Sequence, residues 1–204
     1  MIIGVTGNIG SGKSMVVEYL RELGAACIDA DKVGHEVLLP GGGAYAAVVE
    51  RFGQEYLDEQ GYIDRRRLGA YVFSDPSGER ARLLNQLTHP QILAEIQQRI
   101  NTFRSQNYAI IILEAALLMD SALSGLIDRL WVVQCSPELA AARAAERDSC
   151  SAEQIIQRRR AQRDQAELVA MADVVIHNDG SLEELRQQTE KEYRQALMDA
   201  AAKV

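Results

Sequence analysis

Apolar positions along the chain follow two rhythms. Short, nearly continuous apolar runs at 2–5, 25–29, 108–113, 130–134 and 173–176 predict strands, several of them buried on both faces. Between them the spacing lengthens. Val16, Leu20 and Leu23 recur at i, i+4 and i+7, which predicts a helix that Gly24 stops from the C′ position. From 31 to 107 almost nothing reads as strand. Helical patterns cover 32–39, 45–52, 65–73 and 79–87, and a longer amphipathic run covers 91–103 with Ile92, Ile96, Ile100 and Phe103 on one face. Thr88-His89-Pro90 is placed to open that run, with Pro90 at its first turn. Ser136-Pro137-Glu138 predicts another helix start, and Ser181 with Glu184 forms a capping box after the Asn178-Asp179-Gly180 turn. A strand, a helix and a strand at the opening spacing make a βαβ unit, hence a parallel sheet. The predicted class is α/β, with a helical excursion inserted into the sheet.

Composition adjusts this picture little. The 204 residues suit a single domain, or one domain with an insert, and 47% hydrophobic with 25% charged residues is ordinary for a globular chain. The net charge of −7 argues against general nucleic-acid binding, so no nucleic-acid partner is expected. No apolar stretch is long enough to span a bilayer, since the run at 108–119 is interrupted by Glu114. No leader pattern is visible, and the three cysteines, Cys27, Cys135 and Cys150, form no C-x-x-C pair. The expectation is a cytoplasmic protein with free thiols: Cys27 and Cys135 as buried small hydrophobes, and Cys150 as an exposed, idle one.

The candidate chemistry starts at the first turn. Gly7-Asn8-Ile9-Gly10-Ser11-Gly12-Lys13-Ser14 fits G-x-x-x-x-G-K-[ST], the phosphate-binding P-loop, with the required strand before it and helix after it. Glycines let backbone N–H groups turn inward around an anion, and the helix that follows adds the positive end of its dipole. Lys13 is expected to reach the β- and γ-phosphates, and the Ser14 hydroxyl to ligate Mg²⁺. ATP and Mg²⁺ are therefore the expected cofactors, held by residues 7–14 together with Met15.

Other candidates gather at the same sheet edge, where open parallel sheets bind their ligands. Asp29 and Asp31 end the second strand, and each reads either as a base or metal-water ligand or as a cap for the next helix. Glu114 ends the third apolar strand. His89 reads either as a hydrogen-bonded structural residue or as part of an acceptor pocket. Arg143, Arg147, Arg158, Arg159, Arg160 and Arg163 cluster in a short span. They form either a solvated face or a lid that closes on a transferring phosphoryl group, with Arg143 the best placed. The turn at Asn178 could pack a purine base or simply connect two elements.

Taken together these residues resemble the dephospho-CoA kinase family over essentially the whole chain. The resemblance is carried by residues 4–14, Ile28-Asp29-Ala30-Asp31, Gly61-Tyr62-Ile63-Asp64-Arg65 with Leu68 and Phe73, His89-Pro90, Leu117-Leu118, Val132-Val133 with Ser136, Arg143 with Arg147, Gln162, and 172–176 with 178–181. It implies a P-loop NTPase fold, a three-layer α/β/α arrangement around a parallel sheet. The expected division is a core at about 1–30, 108–140 and 172–204, a helical acceptor-substrate region at about 31–107 and a lid at about 141–171. It implies transfer of the ATP γ-phosphoryl group to the ribose 3′-hydroxyl of dephospho-CoA. In that scheme Asp31 orients the hydroxyl and takes its proton, Lys13 and Arg143 neutralise charge, Asn178 lies at the nucleotide, and His89 and Leu117 lie at the acceptor. The family stretch resembling Asp-x-Pro-Leu-Leu-Phe-Glu reads Glu114-Ala115-Ala116-Leu117-Leu118-Met119-Asp120 here, and Met15 stands where the family usually shows Thr. The rival readings are another small-molecule P-loop kinase and a regulatory GTPase-type switch. Against the switch, no Asn-Lys-x-Asp stretch occurs, and Asp75-Pro76-Ser77-Gly78 matches D-x-x-G only after a helix, as a turn.

Overall fold

The computed structural model describes residues 1–148, 151, 153, 155 and 162–202. In chain order its elements are β1 (Ile2–Thr6), α1 (Lys13–Glu22), β2 (Ala26–Asp29), α2 (Ala30–Glu36), α3 (Tyr45–Phe52), α4 (Arg65–Phe73), α5 (Glu79–Ser105), β3 (Ile111–Glu114), β4 (Arg129–Gln134), α6 (Pro137–Asp148), α7 (Gln165–Met171), β5 (Val174–His177) and α8 (Leu182–Ala201). The strands form one parallel sheet in the order β2-β3-β1-β4-β5, with helices flanking it. The chain is therefore an α/β protein. It divides into two compact units, residues 1–29 with 100–204, and residues 30–99.

The sheet unit is built on β1, whose five residues are all buried. Ile3 and Val5 join Ile112, Trp131, Val133 and Ile176 under α1 and α8, which contribute Val16, Leu20, Leu185 and Tyr193. Each fully buried aliphatic side chain contributes about 1.5–3 kcal/mol of transfer free energy. Gly4 points to the opposite face, where any Cβ would meet the side chains of Leu118 and Ile127. Carboxylates secure the strand starts. Ile2 N–H donates to Asp128 Oδ2 at 2.6 Å, and Leu130 N–H to Asp173 Oδ2 at 2.7 Å. Gly24 does stop α1, at φ +97°, and Ser181 and Glu184 do form the reciprocal capping box of α8.

The helical unit buries Val33, Val48, Phe52, Leu68, Val72 and Ile96. Asp64 caps α4, its carboxylate accepting from Arg66 and Arg67 N–H at 3.0 Å each. Arg99 is paired with Glu36 and, at 2.7 Å, with Glu95. Two expected helices are one here: α5 runs unbroken through Pro90. Proline lacks an N–H and crowds the preceding turn. The helix continues because its second half buries Ile96 and Ile100 completely, while the Thr88 hydroxyl donates to the Leu84 carbonyl at 2.9 Å. Likewise β3 starts at Ile111 and not at 108. Asn107 takes a left-handed φ of +62° after α5, and Tyr108 N–H closes back on the Phe103 carbonyl, so those residues serve the helix end.

The 75–78 segment is a turn, as expected. The Asp75 carboxylate accepts from Ser77 N–H, Ser77 Oγ and Arg80 N–H at 2.8–3.0 Å. These bonds, the one from Arg80 N–H foremost, hold its pKa down to about 2. The stability it contributes is present above the ordinary aspartate range and is lost as pH falls through about 2. A carboxyl-carbon NMR titration should give Asp75 a midpoint near 2. An ordinary aspartate midpoint would remove this account of the turn.

Candidate active site

The sheet edge carrying the site is set by strand order. β1 lies between β3 and β4, so the direction of chain progression reverses beside it, which is where open parallel sheets form a ligand crevice. The loop after β1 fills that place. Ser11 N–H donates to the Asn8 carbonyl at 3.0 Å, closing a tight turn. Gly10 and Gly12 sit at φ +80° and +91°, positions costly for other residues. Gly12 precedes the first residue of α1, Lys13. It supplies no side-chain cap, and the first turn of α1 carries no acid. That helix end keeps its positive field for a ligand.

Chain-distant groups brace the loop. Thr6 Oγ1 donates to the Ala115 carbonyl at 3.0 Å, just beyond β3. Asn178, 4% exposed at the end of β5, donates its side-chain N–H to the Ser11 carbonyl at 2.8 Å. Arg143 on α6 donates in turn to the Asn178 carbonyl at 2.8 Å. Two buried oxygens here, Ser11 Oγ and Asn178 Oδ1, have no hydrogen-bond partner among the described residues. The Asp179 carboxylate accepts from Ser136 N–H at 2.6 Å, joining the β4 and β5 ends.

On the other side of the loop, Ser14 Oγ lies 3.2 Å from Glu114 Oε1 and donates to it. The register pairs Glu114 with Asp29 on β2, so two acids end neighbouring strands. Nearby Cys27 is half-buried, and burial pushes its thiol up to about 11, which leaves it a poor nucleophile.

The structure thus brings together in the sheet unit residues 7–15, Glu114, Arg143 and Asn178. Met15 is 40% exposed in the first turn of α1. Leu117, 53% exposed, also belongs to the sheet unit, just before a short 3-10 turn. Asp31 and His89 belong to the helical unit. Asp31 is the second residue of α2, exposed, and two positions beyond the end of β2. It is therefore inside the helix rather than at its cap. His89 lies exposed on α5, beside Arg82, Asn85, Gln86 and Pro90 around an open depression of about 420 Å³. Arg158, Arg159, Arg160 and Cys150, and the Arg147 side chain, lie outside the described residues.

Two contacts of the site had no local signal in the sequence. Gln162 Oε1 accepts from Ile9 N–H at 2.8 Å, and Asn8 Nδ2 donates to the Arg163 carbonyl at 3.4 Å. A polar side chain meeting a backbone group more than 150 positions away leaves no spacing to read.

The model of the dephospho-CoA kinase family matches residues 1–184. A dephospho-CoA kinase of Carboxydothermus hydrogenoformans is 42% identical over 187 residues, 92% of this chain and 90% of that one. One from Geobacter sulfurreducens is 37% identical over 93% of this chain and 95% of its own length. Among solved structures, a dephospho-CoA kinase from Campylobacter jejuni superposes with a TM-score of 0.73 at 29% identity, covering 97% and 98% of the two chains. A shikimate kinase from Acinetobacter baumannii, 18% identical with a TM-score of 0.53 and coverage of 97% and 93%, shares the fold. No helix among the described residues is long and apolar enough to cross a membrane. With a loop built for a nucleoside triphosphate and relatives alike over nearly the full length, the chain belongs to the dephospho-CoA kinase family, ATP-dependent enzymes of the final step of coenzyme A synthesis.

Proposed function

We propose that the chain performs this transfer with residues 7–15 cradling the ATP phosphates, Lys13 and Arg143 neutralising the moving phosphoryl group, and Asp31 receiving the acceptor's proton. The observation that carries the reading is the Ser14 hydroxyl 3.2 Å from the Glu114 carboxylate, at the mouth of a loop whose helix carries no acid in its first turn. A hydroxyl and a carboxylate are hard oxygen donors of the kind that suit Mg²⁺, which takes few protein ligands and keeps water and phosphate oxygens. Ser14 would hold the ion directly and Glu114 would stand behind it. When bound, the ion offsets charge on the β- and γ-phosphate oxygens.

The chain's own residues do the rest. The 3′-hydroxyl oxygen of dephospho-CoA bonds to the γ-phosphorus, its proton passes to the Asp31 carboxylate, and the bridging oxygen leaves with ADP. The transition state is loose, so positioning and charge outweigh base strength. Asn178 acts on the nucleotide through the Ser11 carbonyl it holds. His89, within a helical acceptor region of about 31–107, serves the acceptor, and so does Leu117 of the sheet unit. The lid assigned to residues of about 141–171 lies partly outside the described residues, at 149, 150, 152, 154 and 156–161. Among the described residues Cys27 and Cys135 are in no disulfide, which supports a reducing, cytoplasmic setting.

Steady-state rates against free Mg²⁺ test the metal assignment. Ser14→Ala should raise the half-saturating Mg²⁺ concentration on the order of tenfold. An unchanged Mg²⁺ requirement would remove Ser14 from the metal site.

A further inference from the structure

The tip of the donor loop is joined to the arm that carries Arg143. Ile9, partly buried, packs its side chain against Ala141 and Ala144 of α6 and Ile155, a buried apolar cluster separate from the main core. Its backbone N–H is taken by Gln162 Oε1 at 2.8 Å, and the neighbouring Asn8, itself 5% exposed, donates its side-chain N–H to the Arg163 carbonyl at 3.4 Å. Residues 162 and 163 lead directly into α7. Asp164 caps α7 by accepting from Ala166 N–H at 2.7 Å, and α7 buries Leu168. One side chain and two hydrogen bonds therefore clamp two consecutive loop residues from opposite ends of the 141–163 segment.

We propose that Ile9 and Gln162 form a peg and a clasp that set the position of the phosphate loop, which makes Gln162 a positioning residue for phosphoryl transfer. The physical need is plain. A loop of inward-turned N–H groups around a vacant anion nest is costly to hold, and every degree of freedom left in it must be removed when ATP binds. Gln162 satisfies a loop N–H without adding negative charge near the phosphates, which an acidic residue would do. The proposal needs only that ATP occupies the loop. It stands independently of the roles proposed for Asp31 and Arg143.

The test uses the full chain with ATP and dephospho-CoA varied separately, and near-ultraviolet circular dichroism as the control for folding. Gln162→Leu should raise KM for ATP about tenfold and leave KM for dephospho-CoA unchanged, since only the donor loop loses its brace. Asn8→Ala should act in the same direction. The double variant should be little worse than Gln162→Leu alone, because the two bonds act as one clasp. Losses spread equally over both substrates would mark a merely structural residue and overturn the proposal. So would fully additive effects. A KM for ATP below that of the parent enzyme would show Gln162 competing with the phosphates for Ile9 N–H, and would also overturn it. If Gln162→Leu does not fold, Ile9→Val shortens the peg and leaves the backbone bond. It should raise KM for ATP by about two- to threefold, and an unchanged value would overturn the proposal.

Discussion

Asp31→Asn is expected to cut turnover with dephospho-CoA by about 10²- to 10³-fold while ATP binding stays close to that of the parent enzyme. Asparagine keeps the shape of the side chain and can still orient a hydroxyl, but it cannot take the proton. The substitution therefore isolates proton acceptance from positioning. Asp31 is exposed and sits in the first turn of α2, where a carboxylate is favoured by the helix dipole, so the fold does not depend on its burial. Single-turnover measurement with saturating ATP reads the chemical step without product release. Near-normal turnover of Asp31→Asn would end the base assignment and turn attention to Asp29, the last residue of β2. A matching loss of ATP affinity would instead place Asp31 on the donor side.

Gly10→Ala is the second large effect, and its cause is steric. A Cβ at residue 10 would run into the Ala140 carbonyl of α6, a backbone group that cannot step aside, and φ there is +80°. Strain of this kind costs about 1–3 kcal/mol before the clash is counted. The loop would have to move away from α6, taking its N–H groups off the phosphates, and ATP-dependent turnover should fall about 100-fold or more. Gly24→Ala is the internal comparison. Its φ of +97° is equally left-handed, yet nothing lies within 4 Å of the added carbon. It should lose stability and keep its ATP parameters. The pair is read by denaturant unfolding and by KM for ATP. Equal kinetic behaviour in the two variants would mean that α6 does not act as a stop for the loop.

These residues also show where the sequence is readable. The P-loop is a contiguous piece of backbone chemistry, so its glycines, lysine and serine announce themselves in order. Gly24 and the Ser181–Glu184 box are equally local, and both perform as expected. The strands read well because a parallel sheet wants unbroken apolar runs. Pro90 misleads because a local rule about proline competes with the burial of Ile96 and Ile100 further along, and burial wins. Asn107 misleads in a smaller way, since a left-handed helix end borrows residues from an apolar run that otherwise looks like strand. Gln162 is marked by family resemblance alone, and Asn178 besides that only as part of a turn at the ligand edge. The atoms they hold, the Ser11 carbonyl and Ile9 N–H, depend on the closure of a whole sheet, and no short spacing encodes that.

The central place of β1 has a consequence for how the molecule is made. Ile2 pairs with Ile111, and Ile3 with Arg129, so β1 waits during synthesis for partners that emerge more than a hundred residues later. The last brace of its loop, Asn178, comes later still. A ribosome-bound chain thus displays the nucleotide signature long before Asn178 emerges to complete its mould. ATP can reward the finished enzyme with added stability, and offers nothing to the growing one.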